Sequence, residues 1–275
     1  MTTEMRRPVV FFDMGGTIET FWHNRELRLQ ATSEMCRLLE QAGIRLNLTA
    51  EELYTAVIQG LDRYRRWSKH FLIELPPRRV WREYILADYP VARHQIDAIA
   101  EELSFFMEMR YYQREMRPEM PTILEAVHKL GLKMGIISNV QSRDLVPASL
   151  KRYGIYHYFD PIVLSSVYGR RKPDPSIFHC AAQLAGVPSS MCVHVGDRIS
   201  GDILGARRAG YRLAIQIRHR FQADSEDPDE GPPPDVVLND MTELPGILEK
   251  ELHHPAAGCN LAKPGRSFST DHAIL

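Results

Sequence analysis

Pro8-Val9-Val10-Phe11-Phe12, followed at once by Asp13-Met14-Gly15-Gly16-Thr17, sets the architecture. Four consecutive β-branched or aromatic residues closed off by glycines read as a short strand with both faces buried. Such a strand belongs in the middle of a parallel sheet. Asp13 then stands at its carboxyl end.

The same texture returns after Pro121. An amphipathic helix over 123–130 leads to a strand Lys133-Met-Gly-Ile-Ile-Ser138, and a helix over 144–153 to a strand over 162–164. A helix over 175–186 precedes a strand at Cys192-Val-His-Val195, and a helix over 200–209 precedes Leu213-Ala-Ile-Gln-Ile217. A last strand at Val236-Val-Leu238 and a helix over 242–252 complete the series. Strands alternating with helices of this length predict a parallel sheet covered on both faces, a doubly wound α/β core of Rossmann-like kind. Ala223–Asp235, acidic and carrying Pro228 and Pro232-Pro-Pro234, reads as a surface loop, and 253–275 as a loosely held tail.

Between about 24 and 115 the period changes. Apolar residues recur at three- and four-residue spacing (Leu27, Ala31, Met35, Leu38; then Leu53, Val57, Leu61), and Thr49-Ala-Glu-Glu52 has the form of a capping box. Pro76-Pro77 and Tyr89-Pro90 divide the stretch. The reading is about four helices and no strand, an insertion over 18–115 in a core made of 8–17 and 116–252.

The chain has 275 residues, 44% of them hydrophobic and 25% charged, which excludes disorder as a global description. Lys+Arg 34 against Asp+Glu 35 gives a formal net charge of -1, so bulk charge offers no case for nucleic acid or an anionic membrane as partner. No run approaches the roughly 18 apolar residues of a membrane span, and Val9–Phe12 is too short for a signal h-region. Cys36, Cys180, Cys192 and Cys259 form no CxxC pair, and read as reduced thiols of a cytoplasmic protein.

Ligands of open parallel sheets bind outside the carboxyl ends of the strands. Asp13, Ser138, Lys172 and Asp197 fall at or near those ends. Each alone has an ordinary reading: a turn aspartate, Ser-Asn turn chemistry, a solvated lysine, a helix N-cap. His194 reads as packed in the sheet, and the cap-region arginines as a solvated helical face. All four at one edge point to a site.

In these residues the chain resembles the haloacid dehalogenase-like hydrolase superfamily, whose first motif is a strand ending in Asp-x-Asp-Gly-Thr, here Asp13-Met14-Gly15-Gly16-Thr17. Its second, a strand ending in Ser or Thr, is matched by Gly135-Ile-Ile-Ser138-Asn139, and its lysine loop by Lys172-Pro173-Asp174-Pro175. Its fourth, Gly-Asp followed by another Asp, is matched by Gly196-Asp197 and Asp202. Members often carry a helical cap directly after the first motif, where the helical insertion lies.

The resemblance implies a magnesium-dependent hydrolase of a small phosphorylated metabolite, acting through an aspartyl phosphate on Asp13. Mg2+ would take the side chains of Asp13 and Asp197 and the carbonyl of Gly15, with Asp202 behind them. Lys172 would neutralise phosphoryl charge, and Ser138 and Asn139 would bind the phosphoryl group. The residue types suit the task, since a carboxylate attacking a phosphate dianion needs a cation and other donors around it.

One position departs from that pattern. The family's second aspartate, the acid–base of its phosphatases, is Gly15. A substitute group such as His23 could carry the proton. Alternatively the chain binds a phosphorylated ligand with little turnover. Relatives that cleave carbon–phosphorus bonds also have a small residue there and use a cap lysine as a Schiff base, for which Lys69 is the candidate. A haloacid dehalogenase is a further alternative, but the intact Asp197 and Asp202 argue for a metal and against it. Arg170-Arg171, beside Lys172, are additional candidates for contact with ligand.

Overall fold

A computed structural model describes residues 7–218 and 230–253. Its elements are β1 (Val9–Phe12), β2 (Glu19–Trp22), α1 (Arg25–Gln41), α2 (Ala50–Phe71), α3 (Pro77–Val80), α4 (Arg93–Arg110) and β3 (Gln113–Met116). There follow α5 (Met120–Lys129), β4 (Lys133–Ser138), α6 (Leu145–Arg152), β5 (Phe159–Leu164), α7 (Ser165–Tyr168) and α8 (Pro175–Leu184). The chain continues with β6 (Cys192–Gly196), α9 (Leu204–Arg208), β7 (Leu213–Ile217), β8 (Val236–Leu238) and α10 (Leu244–His253).

Among the described residues, six strands form one parallel sheet in the order β5-β4-β1-β6-β7-β8. Chain order reverses at β1: the next core strands, β4 and β5, lie to one side, and β6, β7 and β8 to the other. The carboxyl ends of β1, β4 and β6 therefore flank a switch point, where α/β sheets bind ligands. All of β1 is buried because each face meets a different helical layer. Val10, Phe12 and Met14 pack with α5, α6 and α10, whereas Val9 and Phe11 pack with α8 and α9. β5 begins earlier than the apolar pattern predicts and contains Pro161, which an edge strand accommodates.

The helices after β1 bury a hydrophobic cluster of their own, including Met35, Val57, Leu61, Tyr64, Trp81, Leu103 and Met107. Trp81 donates from Nε1 to Ser104 Oγ at 2.9 Å, so its one polar atom is satisfied inside that cluster. Thr49 and Glu52 make the reciprocal capping bonds, Glu52 N to Thr49 Oγ1 at 3.2 Å and Thr49 N to Glu52 Oε2 at 2.8 Å. The third helix, α3, is a single turn.

The expectation of no strand in this stretch is overturned. β2 and β3 pair antiparallel, Glu19 opposite Met116 and Phe21 opposite Arg114, and form the two-stranded connection between insert and core. Polar Gln113-Arg-Glu-Met116 carries no apolar alternation. Its pairing is held instead by Arg114, which lies 5.6 Å over the Phe21 ring and forms an ion pair with the buried Glu19.

Among the described residues no helix is long and apolar enough to cross a membrane, and Cys36, Cys180 and Cys192 are free thiols. The expected acidic loop is described only over 230–235. The expected tail, with His254 and Cys259, lies outside the described residues, while α10 extends to His253.

Candidate active site

The sheet brings Asp13, Ser138, Lys172, Asp197 and Asp202 to one edge. Asp13 follows β1 directly, and its N–H still bonds to Val195 O of β6 at 2.9 Å. Parallel register with β4 pairs Phe12 with Ile136, so Ser138 ends the neighbouring strand and is buried. Asp197 follows β6. Asp202, five residues later, folds back over the strand end, and any Cβ on Gly196 would collide with its carboxyl group. Glycine is required at 196 for that close approach.

Lys172 is the centre of the cluster. Its Nζ donates to Asp13 Oδ1 at 2.6 Å, to Asp202 Oδ1 at 2.6 Å and to Ile137 O at 2.9 Å. Three acceptors match the three protons of an ammonium group. Asn139 fixes the lysine's main chain: Lys172 N donates to Asn139 Oδ1 at 2.9 Å, and Asn139 Nδ2 donates to Lys172 O at 3.1 Å. Beside the expected contact with substrate, the Asn139 amide is thus bound at both ends to the Lys172 main chain.

His194 lies wholly inside the sheet, as expected, but its Nε2 reaches Asp202 Oδ1 at 2.8 Å. Burial outweighs that bond and holds the ring below its ordinary value, so the neutral imidazole donates from Nε2. Asp202 accepts also from Arg198 N at 3.1 Å. Burial alone would raise the Asp202 carboxyl, but Lys172 and His194 hold it well below the usual range. The other two carboxyls move the opposite way. Burial pushes Asp13 up to about 6, with Lys172 opposing and Asp202 adding to the rise. Asp197 is raised well above its ordinary value by burial and by Asp13 and Asp202 beside it.

That imbalance fits a cation. Oxygens of Asp13, Asp197 and Asp202 lie within 4.8 Å of one another, and Asp197 Oδ1 is buried with no hydrogen-bond partner. An orphaned carboxylate oxygen costs free energy unless something positive meets it. A hard, all-oxygen donor set suits magnesium. Asp202, engaged through both oxygens, is less available than Asp13 and Asp197.

Gly15 faces the insert. A Cβ there would lie 3.1 Å from Phe21 Cε1 on β2, so the ring presses against the place where an aspartate side chain would begin. Three acidic residues that sequence reasoning missed join the insert to the site's surroundings. Glu74 accepts from Arg171 at 2.6 Å and from Ser165 Oγ at 2.8 Å, and also meets the Tyr64 hydroxyl. Glu108 accepts from Gln141 N at 3.0 Å and Ser142 N at 2.9 Å, just past Ser138-Asn139, and Glu101 from Ser142 Oγ at 2.7 Å. Arg171 is thus held by Glu74, and Arg170 lies 3.8 Å from Asp174. Nothing in the local sequence separates these glutamates from ordinary helix-surface acids.

The model of the haloacid dehalogenase-like hydrolase family matches residues 8–210. The chain belongs to the haloacid dehalogenase-like hydrolase family. Within it, the chain is 27% identical over 245 residues to a glyceraldehyde 3-phosphate phosphatase of Methanopyrus kandleri, covering 88% of this chain and 97% of that one. It is 31% identical over 185 residues to a phosphoserine phosphatase of Thermus thermophilus, covering 67% and 68%. Among solved structures, a 2-haloacid dehalogenase from Pseudomonas syringae pv. Tomato superposes with a TM-score of 0.58 at 27% identity, covering 89% and 99%. The six-stranded parallel sheet flanked by helices is the fold of this family.

Proposed function

We propose that the protein is a magnesium-dependent phosphoric monoester hydrolase that acts on a small phosphorylated metabolite, with Asp13 as nucleophile and the helical insert as its cap. The observation that carries the reading is the Lys172 ammonium between Asp13 and Asp202, beside the unpartnered oxygen of Asp197. Two relatives named above are phosphatases of three-carbon phosphate esters, which supports the substrate class.

Asp13 attacks phosphorus, the bond to the leaving alcohol breaks, and an aspartyl phosphate forms on Asp13. Water then attacks that phosphorus and returns Asp13 as a carboxylate. Lys172 holds Asp13 in line and offsets phosphoryl charge, with Ser138 as a donor to a phosphoryl oxygen. Asp202, itself held by His194 and Arg198 N, keeps Lys172 charged and aimed. Asp13 and Asp197, with the carbonyl of Gly15, would hold Mg2+, which supplies charge neutralisation at the phosphoryl oxygens. The cap excludes water and selects the leaving group.

The test is phosphate release from a panel of phosphomonoesters with and without magnesium, with Asp13→Asn as blank. Metal-dependent release lost in the variant supports the reading. Release equal in wild type and variant overturns it, and binding without release favours a phospholigand-binding protein.

A second reading rests on Lys69. Burial, and then the fields of Arg198, Arg65 and Arg171, hold its ammonium below the ordinary lysine value. An amine held below its ordinary value, near the neighbours of Lys172 and Asp197, would suit a Schiff base with an aldehyde-bearing phosphonate. Borohydride reduction with such a phosphonate links it to Lys69 on this reading alone.

A further inference from the structure

The first chemical step needs a proton for the leaving oxygen, and Gly15 cannot give one. The wall beside Gly15 has a group that can. Phe21, 3.1 Å from the Gly15 Cβ position, stacks edge-to-face on Tyr112, with ring centroids 5.7 Å apart at 88°. Tyr112 follows α4 and immediately precedes β3. Arg65 of α2 donates from Nη2 to its hydroxyl at 3.0 Å. Because that bond occupies a lone pair, the phenolic O–H remains for another acceptor, and none meets it among the described residues.

The surroundings of Tyr112 are arranged for a phenolate. Arg28 of α1 lies 4.8 Å from the ring centroid and Arg114 of β3 lies 5.5 Å from it, with the His23 ring at 5.5 Å. Glu108 of α4 and Asp62 of α2 are the acids facing Arg65, and Glu19 pairs with Arg114. Burial alone would raise the phenol, but Arg65, Arg28 and Arg114 outweigh it and hold Tyr112 below its ordinary value. One turn beyond Arg65, Lys69 lies in the fields of Arg171 and Arg198, the neighbours of Lys172 and Asp197. Phe21 thus links the Gly15 Cβ position to the Tyr112 ring, and Arg65, which holds the Tyr112 hydroxyl, lies one turn of α2 from Lys69.

We infer that Tyr112 is the catalytic acid and base that replaces the carboxylate missing at Gly15, with Arg65 as its positioning residue. This rests on the hydrolase reading above. As Asp13 attacks phosphorus and the bond to the leaving oxygen breaks, the Tyr112 proton passes to that oxygen and the alcohol departs. The Tyr112 phenolate, held by Arg65, Arg28 and Arg114, next takes a proton from the water attacking the aspartyl phosphate. Inorganic phosphate leaves, and Asp13 and the phenol are restored.

The test compares an alkyl phosphate with 4-nitrophenyl phosphate, whose leaving group departs without a proton. In Tyr112→Phe, which keeps the ring stack, kcat/KM for the alkyl ester falls about 10²–10⁴-fold. For 4-nitrophenyl phosphate it changes little, and a burst of one nitrophenol per enzyme precedes slow turnover, because the second step still lacks its base. Arg65→Leu gives the same leaving-group pattern with a smaller loss. Equal losses on both esters, or no loss on either, overturn the assignment. If wild type releases no nitrophenol in an Asp13-dependent way, the hydrolase reading falls and the Tyr112 assignment with it. Wild-type turnover with an unselective Tyr112→Phe sinks the assignment alone.

Discussion

Asn139 clamps Lys172 by both of its main-chain polar atoms, at 2.9 and 3.1 Å, while the Lys172 ammonium reaches Asp13. The residue after β4 thereby fixes the loop that carries the lysine, and the lysine fixes Asp13, the proposed nucleophile. Asn139→Ala leaves two buried main-chain groups without partners. It should lower unfolding free energy by about 1–3 kcal/mol and reduce kcat more than it raises KM. Urea denaturation beside steady-state kinetics checks both; a KM effect with kcat intact would return Asn139 to substrate binding.

Lys172→Met removes the one charge between Asp13 and Asp202. Breaking a buried pair of this kind costs about 3–5 kcal/mol. The loss should be partly offset by proton uptake, because the carboxyls left behind are pushed further up. Stability of Lys172→Met should then fall as pH rises from 5 to 8, more steeply than that of wild type. Parallel urea titrations at the two pH values measure the slope.

Magnesium should stabilise the fold independently of turnover. At a concentration 100-fold above its dissociation constant, a bound ion adds about 2.7 kcal/mol. Asp197→Asn, which neutralises the orphaned carboxylate, should abolish that shift in thermal unfolding. Asp13 and Asp197 are both raised, so at lower pH the ion competes with protons and its affinity falls. A midpoint unmoved by magnesium in wild type at pH 8 would exclude the ion from this site.

Glu108 gives a second pH effect. Burial pushes its carboxyl from the ordinary 4.5 up to about 7, and its bonds from Gln141 N and Ser142 N only partly oppose the rise. A folded-state value above the unfolded one gives stability that is complete below the unfolded value. That stability is lost as pH rises through about 7. Wild type should lose about 1–3 kcal/mol between pH 5 and pH 8 from this group. Glu108→Gln should flatten that part of the curve, as read by thermal unfolding across the range; an unchanged slope would remove Glu108 as its source.

The sequence made the central strand legible because Val9–Phe12 is buried on both faces and needs no partner to be recognised. Asp13, Ser138, Lys172 and Asp197 were legible because the sheet places strand ends together whatever lies between them. The ribbon was not, since Arg114 stabilises it by stacking on Phe21 and pairing with Glu19, contacts between residues distant in sequence. The same holds for Glu74, whose partner Arg171 is 97 residues away. Asn139 looked like turn chemistry because its use is a tertiary contact with Lys172. His194 was read as core packing, and its bond to Asp202 adds a polar duty that the alternation of a strand does not display.

Gly15→Asp tests how the site manages without a carboxylate. The new Cβ meets Phe21 Cε1 at 3.1 Å, so the ring must yield by a few tenths of an ångström. Overpacking of this order costs typically about 1–3 kcal/mol. If Tyr112 already supplies the proton, Gly15→Asp alone should raise alkyl-ester turnover only a little. In a Tyr112→Phe background the same change should recover much of the lost rate, because it restores the group removed. The coupling between the two substitutions in a double-mutant cycle is then large and favourable. A large gain from Gly15→Asp in the presence of Tyr112, with no coupling, would mean that the acid–base is absent from the natural site.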